Sequence, residues 1–178
     1  MTEKPRPTVF PLAGAVASGS SAARSGVLAR PMQSVLIVED HALTAAMVRE
    51  LLIRAMPHLC VHVAASVKAA LETFARVRPM IAIVDVGLPD GSGLDVIRRL
   101  VAERPAIHVA VHSGHDSAIF QEAARKAGAH AFVGKQSSRT LVAVVQAFLD
   151  GDPLQFDGMR TGARENSGES SRRGFDRR

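Results

Sequence analysis

Five short apolar runs, each followed by a stretch of helical period, fill residues 34–150, and this alternation limits the fold more than any other feature of the chain. Ser34–Glu39 (SVLIVE) is short and β-branched and reads as a first strand. His41–Ala55 carries Val48, Leu51, Leu52 and Ala55 on one helical face, and Pro57 ends it. Cys60–Ala65 reads as a second strand; Ser66 caps a helix through Val77, which Pro79 closes. Met80–Val84 is a third strand, after which Ser92, with Asp95 three residues on, caps a helix to about Glu103. Ile107–Val111 is a fourth strand. Asp116–Ala127 is a helix with the stripe Phe120, Ala123, Ala124 and Ala127, stopped by Gly128. Ala129–Val133 is the fifth strand and Ser137–Leu149 the last helix, with Leu141, Val144, Val145 and Phe148 at helical spacing.

Strands that alternate with helices in this way predict an α/β domain: a parallel five-stranded sheet of (βα)5 units, doubly wound, with helices on both faces. The runs VLIV and IAIV are apolar throughout, as strands buried on both faces should be. Right-handed crossovers restrict the topology, and the flavodoxin-like strand order 2-1-3-4-5 sets strands one and three side by side at the switch point.

The ends differ from this middle. Residues 1–33 are rich in Pro, Gly, Ser and Ala without period, and they read as a disordered N-terminal extension. A targeting peptide fits less well, because Pro11 and Gly14 break the apolar run Val9–Ala17 and Glu3 sits among the basic residues. Translation could also begin at Met32. Residues 151–178, dominated by Gly, Ser and Arg, read as a disordered tail. Of the net charge of +5, the part from 32 to 150 carries +1, so no basic face for nucleic acid is required. No run of 18 apolar residues exists to span a membrane. One cysteine, Cys60, excludes an intramolecular disulfide framework and fits a reducing, cytoplasmic setting; it reads as a small core residue.

Ligands of doubly wound sheets bind beyond the carboxyl ends of the strands. The residues that follow the strands here are Glu39 and Asp40, Asp85, Ser113 and Lys135. Three carboxylates at one edge repel one another and call for a counter-ion. A hard divalent cation such as Mg²⁺ takes oxygen ligands and is often shared with a phosphate. A carboxylate can itself be the nucleophile toward phosphorus, and Asp85, at the tip of a central strand, suits that role. Asp40 would bind the ion directly, Glu39 directly or through water, and Gly87 through its carbonyl. Lys135 would neutralise developing phosphoryl charge, and Ser113 would hydrogen-bond a phosphoryl oxygen, with Gly114 leaving room for close approach.

Taken together, Glu39-Asp40, Asp85 within VDVGLPDGSGLDVI, Ser113-Gly114 and Lys135 within AFVGK make residues 34–150 resemble the receiver domain of two-component response regulators. The intervals of 45, 28 and 22 residues from Asp40 to Asp85, Ser113 and Lys135 in turn suit that family, as does Pro89. The wording is closest to receivers that usually precede a C-terminal DNA-binding domain. The resemblance implies Mg²⁺ at Glu39, Asp40, Asp85 and Gly87. It also implies a phosphoryl group passed to Asp85 from a sensor histidine kinase or a histidine phosphotransfer protein. Ser113 would then move toward the phosphoryl oxygens and Phe132, in the switch-aromatic position, would turn inward. That repacks the face at residues 115–149, through which a downstream protein or a second copy would bind.

Three departures stand out. Gln136 follows Lys135 where the family usually has Pro, Ser113 replaces the commoner Thr, and His112 occupies a place more often apolar. His41 could contact an incoming phosphohistidine partner. His112 and His115 show no third ligand for a transition metal. Two functions remain open: a single-domain regulator acting by protein contact, or a DNA-binding regulator whose helix-turn-helix domain is lacking. A phosphatase is disfavoured, because Gly87 stands where many such enzymes carry an acid/base Asp.

Overall fold

The computed structural model describes residues 8–9, by backbone alone, 33–115 and 117–151. The tail expected at 151–178 lies outside the described residues apart from Gly151, as does most of the expected N-terminal extension. In chain order the elements are β1 (Ser34–Val38), α1 (Ala42–Ala55), β2 (Cys60–Ala64), α2 (Val67–Val77), β3 (Ile81–Val84), α3 (Gly93–Glu103), β4 (His108–Ser113), α4 (Ala118–Ala127), β5 (Ala131–Gly134) and α5 (Ser138–Asp150). The parallel strands lie in the order 2-1-3-4-5, as expected, with Val35 paired to Ile81 and Val84 to Val111.

One strand was not expected. Thr8–Val9 runs antiparallel to β5, Thr8 opposite Phe132 and Val9 opposite Ala131, so the extension is not without structure at these two residues. The physical reason is the edge: β5 ends the parallel sheet and leaves main-chain groups that a short extended segment can pair with. Gly87–Leu88 and Gly91–Ser92 form a second addition, a two-strand antiparallel ladder in the loop after β3.

Side chains alternate across each strand, and both faces are covered. Leu36, Val38, Val84, Val109, Val111 and Phe132 pack against α2, α3 and α4 residues such as Phe74 and Leu100. Val35, Ile37, Ile81, Ile83 and Val133 pack against Val48, Leu52, Leu141, Val144 and Phe148 of α1 and α5. Burying each such side chain stabilises by about 1.5–3 kcal/mol, so neither helical layer is dispensable. Local signals agree with this packing. The Ser66 side chain accepts from Ala69 N and that of Ser92 from Leu94 N, and Gly128 ends α4 at φ 102, a conformation that suits glycine. Cys60 departs from expectation: it is only half-buried, on edge strand β2, with Sγ 3.3 Å from His62 Nε2.

Three histidines are built into the β4–β5–α5 side. His108 stacks on Phe148 with ring centroids 4.9 Å apart, His130 Nδ1 accepts from Val109 N at 3.1 Å, and His112 is buried in β4. Burial lowers the pKa of all three, reinforced at His130 by His108. His112 falls to about 4, through burial first and the neighbouring Lys135 charge second, against a smaller opposing pull from Asp85. The unfolded chain takes up these protons near pH 6.5 and the folded chain does not, so stability is full above about pH 7 and falls as pH drops through 6.5. The loss from His112 ends only near its folded value of about 4. Urea unfolding at pH 7.5 and 5.0 is expected to show a loss of about 2 kcal/mol from His112 alone at the lower pH. An unchanged or higher midpoint at pH 5.0 would mean that these rings accept protons within the fold.

Candidate functional site

The carboxyl ends of β1, β3, β4 and β5 meet at one edge of the sheet, because the crossovers return every strand in the same direction. Glu39 follows β1 and is 3 % exposed, its main-chain N–H donating to Ala64 O at 2.9 Å. Asp85 follows β3 and is 7 % exposed, its N–H donating to Val38 O at 2.9 Å. Each backbone is therefore tied to the neighbouring strand, which leaves the side chain little freedom. Lys135, one residue past β5, reaches across both. Its Nζ lies 2.7 Å from Glu39 Oε2 and 2.8 Å from Asp85 Oδ2. The other Asp85 oxygen, Oδ1, accepts from Val86 N at 2.7 Å.

The ammonium thus sits between two carboxylates brought from different strands. Burial pulls the Lys135 pKa down, but hydrogen bonds to Asp85 and Glu39 and their charges together outweigh it, and the value is raised. The lysine stays charged across the neutral range, and its contribution to stability is lost only as pH rises through that raised value.

Asp40 stands at the mouth, with its side chain 29 % exposed. Glu39, Asp40 and His41 each offer one ligand atom, all within 4.8 Å of one another. His41 is the N-terminal cap residue of α1; its Nδ1 lies 2.8 Å from Asp40 Oδ1 and 3.4 Å from Glu39 Oε1, and its side chain is exposed. The paired carboxylates are hard oxygen donors with a route to solvent, and that donor set fits Mg²⁺.

Ser113 is fully buried at the end of β4, in register with Gly134, and its Oγ accepts from His115 N at 3.3 Å. Phe132 is already turned into the core, 4 % exposed, in the layer that holds Ala124 and Ala127. His112 and His115 take different partners: His112 Nε2 lies 3.4 Å from Ser138 Oγ, while the His115 ring packs 5.4 Å from that of Phe120. Gly87 and Gly114, read as making room, have open space where a Cβ would project, so no protein atom requires glycine at either place.

Two residues of the loop after Asp85 escaped the sequence reading. Asp90 accepts from Val67 N at 2.7 Å and Lys68 N at 3.1 Å, capping α2 from outside its own segment. Those same main-chain bonds, Lys68 first and then Val67, lower its pKa against a smaller effect of burial. Gly93 opens α3 with its N–H on Val86 O at 2.8 Å, and a Cβ there would come 1.8 Å from the carbonyl oxygen of Asp85. The signal for Asp90 was its place in a Gly-rich turn, and for Gly93 a glycine in the first turn of a helix.

Residues 35–146 match the profile of the response regulator receiver domain. A putative transcriptional regulator of Pseudomonas aeruginosa is 34% identical over 121 residues, which are 67% of this chain and 58% of that protein. The DNA-binding transcriptional activator DevR/DosR of Mycobacterium tuberculosis is 33% identical over 105 residues, 58% of this chain and 48% of its own length. The chain spans about half the length of the curated relatives it matches. Among solved structures, a LuxR-family two-component response regulator from Aurantimonas superposes with a TM-score of 0.63 at 26% identity, covering 69% of this chain and 89% of that one. A receiver domain protein from Methanospirillum hungatei, at 23% identity and the same TM-score, shares the fold over 68% of this chain and 96% of that one.

Because Gly93 leaves no space beside the Asp85 carbonyl, Gly93→Ala should force the β3 end and the first turn of α3 apart. Thermal unfolding is expected to show a loss of about 1–3 kcal/mol, the range of overpacked sites. A variant that melts with the parent would show that this approach is not tight.

Proposed function

The chain belongs to the response regulator receiver domain family, and from that premise we propose that Asp85 is its phosphoacceptor. The observation that carries this reading is the Lys135 ammonium held 2.8 Å from Asp85 and 2.7 Å from Glu39 at the carboxyl edge of the sheet. The phosphodonor is the phosphohistidine of a sensor histidine kinase or phosphotransfer protein. An Asp85 carboxylate oxygen attacks phosphorus, the P–N bond breaks, and the imidazole leaves and takes up a proton. Negative charge gathers on the equatorial oxygens of the transferring group, and a fixed cation beside them lowers the barrier without reorganising. Lys135 is that cation, and Ser113 donates its hydroxyl proton to a phosphoryl oxygen. Mg²⁺ would be held by Glu39, Asp40 and Asp85 with the Gly87 carbonyl, and when bound would offset charge that the lysine alone cannot. Water later hydrolyses the aspartyl-phosphate, so the only reactions catalysed are the domain's own phosphorylation and dephosphorylation.

Signalling follows as a shift between two packings of the face at residues 115–149, with Ser113 as the moving part and the already buried Phe132 repacking beside it. Output through protein contact, to a target or a second copy, is the first reading. The second, favoured by relatives described as DNA-binding activators, is that this receiver serves a DNA-binding regulator. In either case residues 32–150 carry a net charge of only +1, too little to call for DNA, and the setting is cytoplasmic. A pull-down comparing phosphorylated and unphosphorylated protein distinguishes the outputs.

Incubation with a small phosphodonor and Mg²⁺ should raise the intact mass by one phosphoryl group, and chelation should prevent it. Lys135→Met should slow uptake about 100-fold or more, as loss of a transition-state donor does elsewhere. Uptake by Asp85→Asn at the parental rate would move the modification to another residue and end this assignment.

A further inference from the structure

Lys135 is presented by the short segment between β5 and α5. Its Nζ must stay within 3 Å of two carboxylates at once, so the main chain that carries it must be held in place. The segment carries such a restraint. Residues Lys135–Ser137 form one turn of 3₁₀ helix leading into α5, and Ser138 Oγ donates back to Lys135 O at 3.0 Å.

A hydroxyl has one proton. With that proton on the Lys135 carbonyl, the Ser138 oxygen can only accept from its second partner, His112 Nε2 at 3.4 Å. A hydrogen bond between the two then requires the tautomer of His112 with its proton on Nε2. The ring is 2 % exposed, and a buried imidazole has a cost that an apolar side chain of similar size would not have, unless a hydrogen bond offsets it. Successive residues of a strand point to opposite faces, so His112 lies on the α5 side of β4 while its neighbour Ser113 faces the other layer. The bonded chain thus runs from β4, next to Ser113, through the first residue of α5 to the main chain of Lys135.

We propose that His112 and Ser138 are positioning residues: a His112–Ser138–Lys135 carbonyl brace holds the Lys135 ammonium between Glu39 and Asp85. The inference rests on the phosphoacceptor reading above. Charge-assisted hydrogen bonds are short and directional, so a main-chain shift of a fraction of an ångström at Lys135 is felt at both carboxylates.

The test uses the full chain with a small phosphodonor and Mg²⁺, following initial phosphorylation by intact mass. Ser138→Ala and His112→Leu are each expected to slow it about tenfold, within the range that small misplacements cost. The double variant should be no slower than the slower single, because both act on one chain of bonds. Ser138→Thr keeps the hydroxyl and should restore the rate. In a Lys135→Met background, Ser138→Ala should have no further effect, which a general loosening of the fold would not reproduce. Mg²⁺ affinity by calorimetry should be the same in Ser138→Ala and the parent.

Hydrogen exchange on the unphosphorylated protein gives a reading that needs no phosphoryl transfer: Ser138→Ala should speed exchange at residues 135–138. Parental rates in both single variants, additive losses in the double, or a Ser138→Ala effect that persists without Lys135 would each overturn the brace. If the parent took up no phosphoryl group, the functional reading would fail, and the exchange measurement would still decide for or against the brace.

Discussion

Glu39 and Asp85 meet at the carboxyl edge of the sheet, almost out of water, and the Lys135 ammonium between them offsets the charge of both. The pair differs in kind from the ion pairs along the helix surfaces. Arg54–Glu50 and Arg125–Glu122 lie along helix surfaces with side chains roughly half exposed or more, where such pairs are worth about 0–1 kcal/mol. Removing one partner from a buried cluster instead leaves an uncompensated charge, whose cost is several-fold greater. The sheet concentrates this electrostatic stress at one edge because parallel strands all end there. The apolar layers on both faces keep the strand ends from separating to relieve it.

This division of labour accounts for where polar groups are allowed. Within the described residues, the buried polar side chains are Glu39, Asp85, His112 and Ser113, all at or beside the carboxyl edge. The two core layers that share the sheet are apolar, and the partly buried His108 and His130 sit at its opposite end. Stability resides in those layers, and the edge is free to hold groups that a core would reject. The neighbouring main chain supplies the missing partners: Val86 N for Asp85, His41 N for Glu39 and His115 N for Ser113.

Much of this was legible from the chain because it follows from short-range pattern. Runs such as VLIV and IAIV can hardly be anything but strands covered on both sides, and Ser66, Ser92 and Gly128 mark helix ends by their own chemistry. The edge constellation was legible for the same reason: a residue that follows a strand has its place fixed by topology. What escaped needed the partner's position. Nothing around Thr8–Val9 says that it pairs with β5, since two residues carry no period. Asp90 caps a helix 22 and 23 residues away in sequence, and Gly93 matters only because a particular carbonyl lies against it. His112 was noted as unusual for its place, but its meaning depends on α5 bringing Ser138 opposite, a register that no local signal encodes.

The arrangement also says where a phosphoryl group would be felt. Before transfer, Lys135 divides its hydrogen bonds between Glu39 Oε2 and Asp85 Oδ2. Were Asp85 to form the acyl phosphate proposed above, negative charge would move outward onto the phosphoryl oxygens, and an ammonium following that charge would have to alter both contacts. The main chain of Lys135 is bonded to the first residue of α5, and that residue to His112 beside Ser113. Lysine and serine would therefore respond to the same phosphoryl group while joined through one buried imidazole. Rearrangement at the sheet edge would then reach α5 by a bonded route, without Phe132, already buried, having to begin the motion.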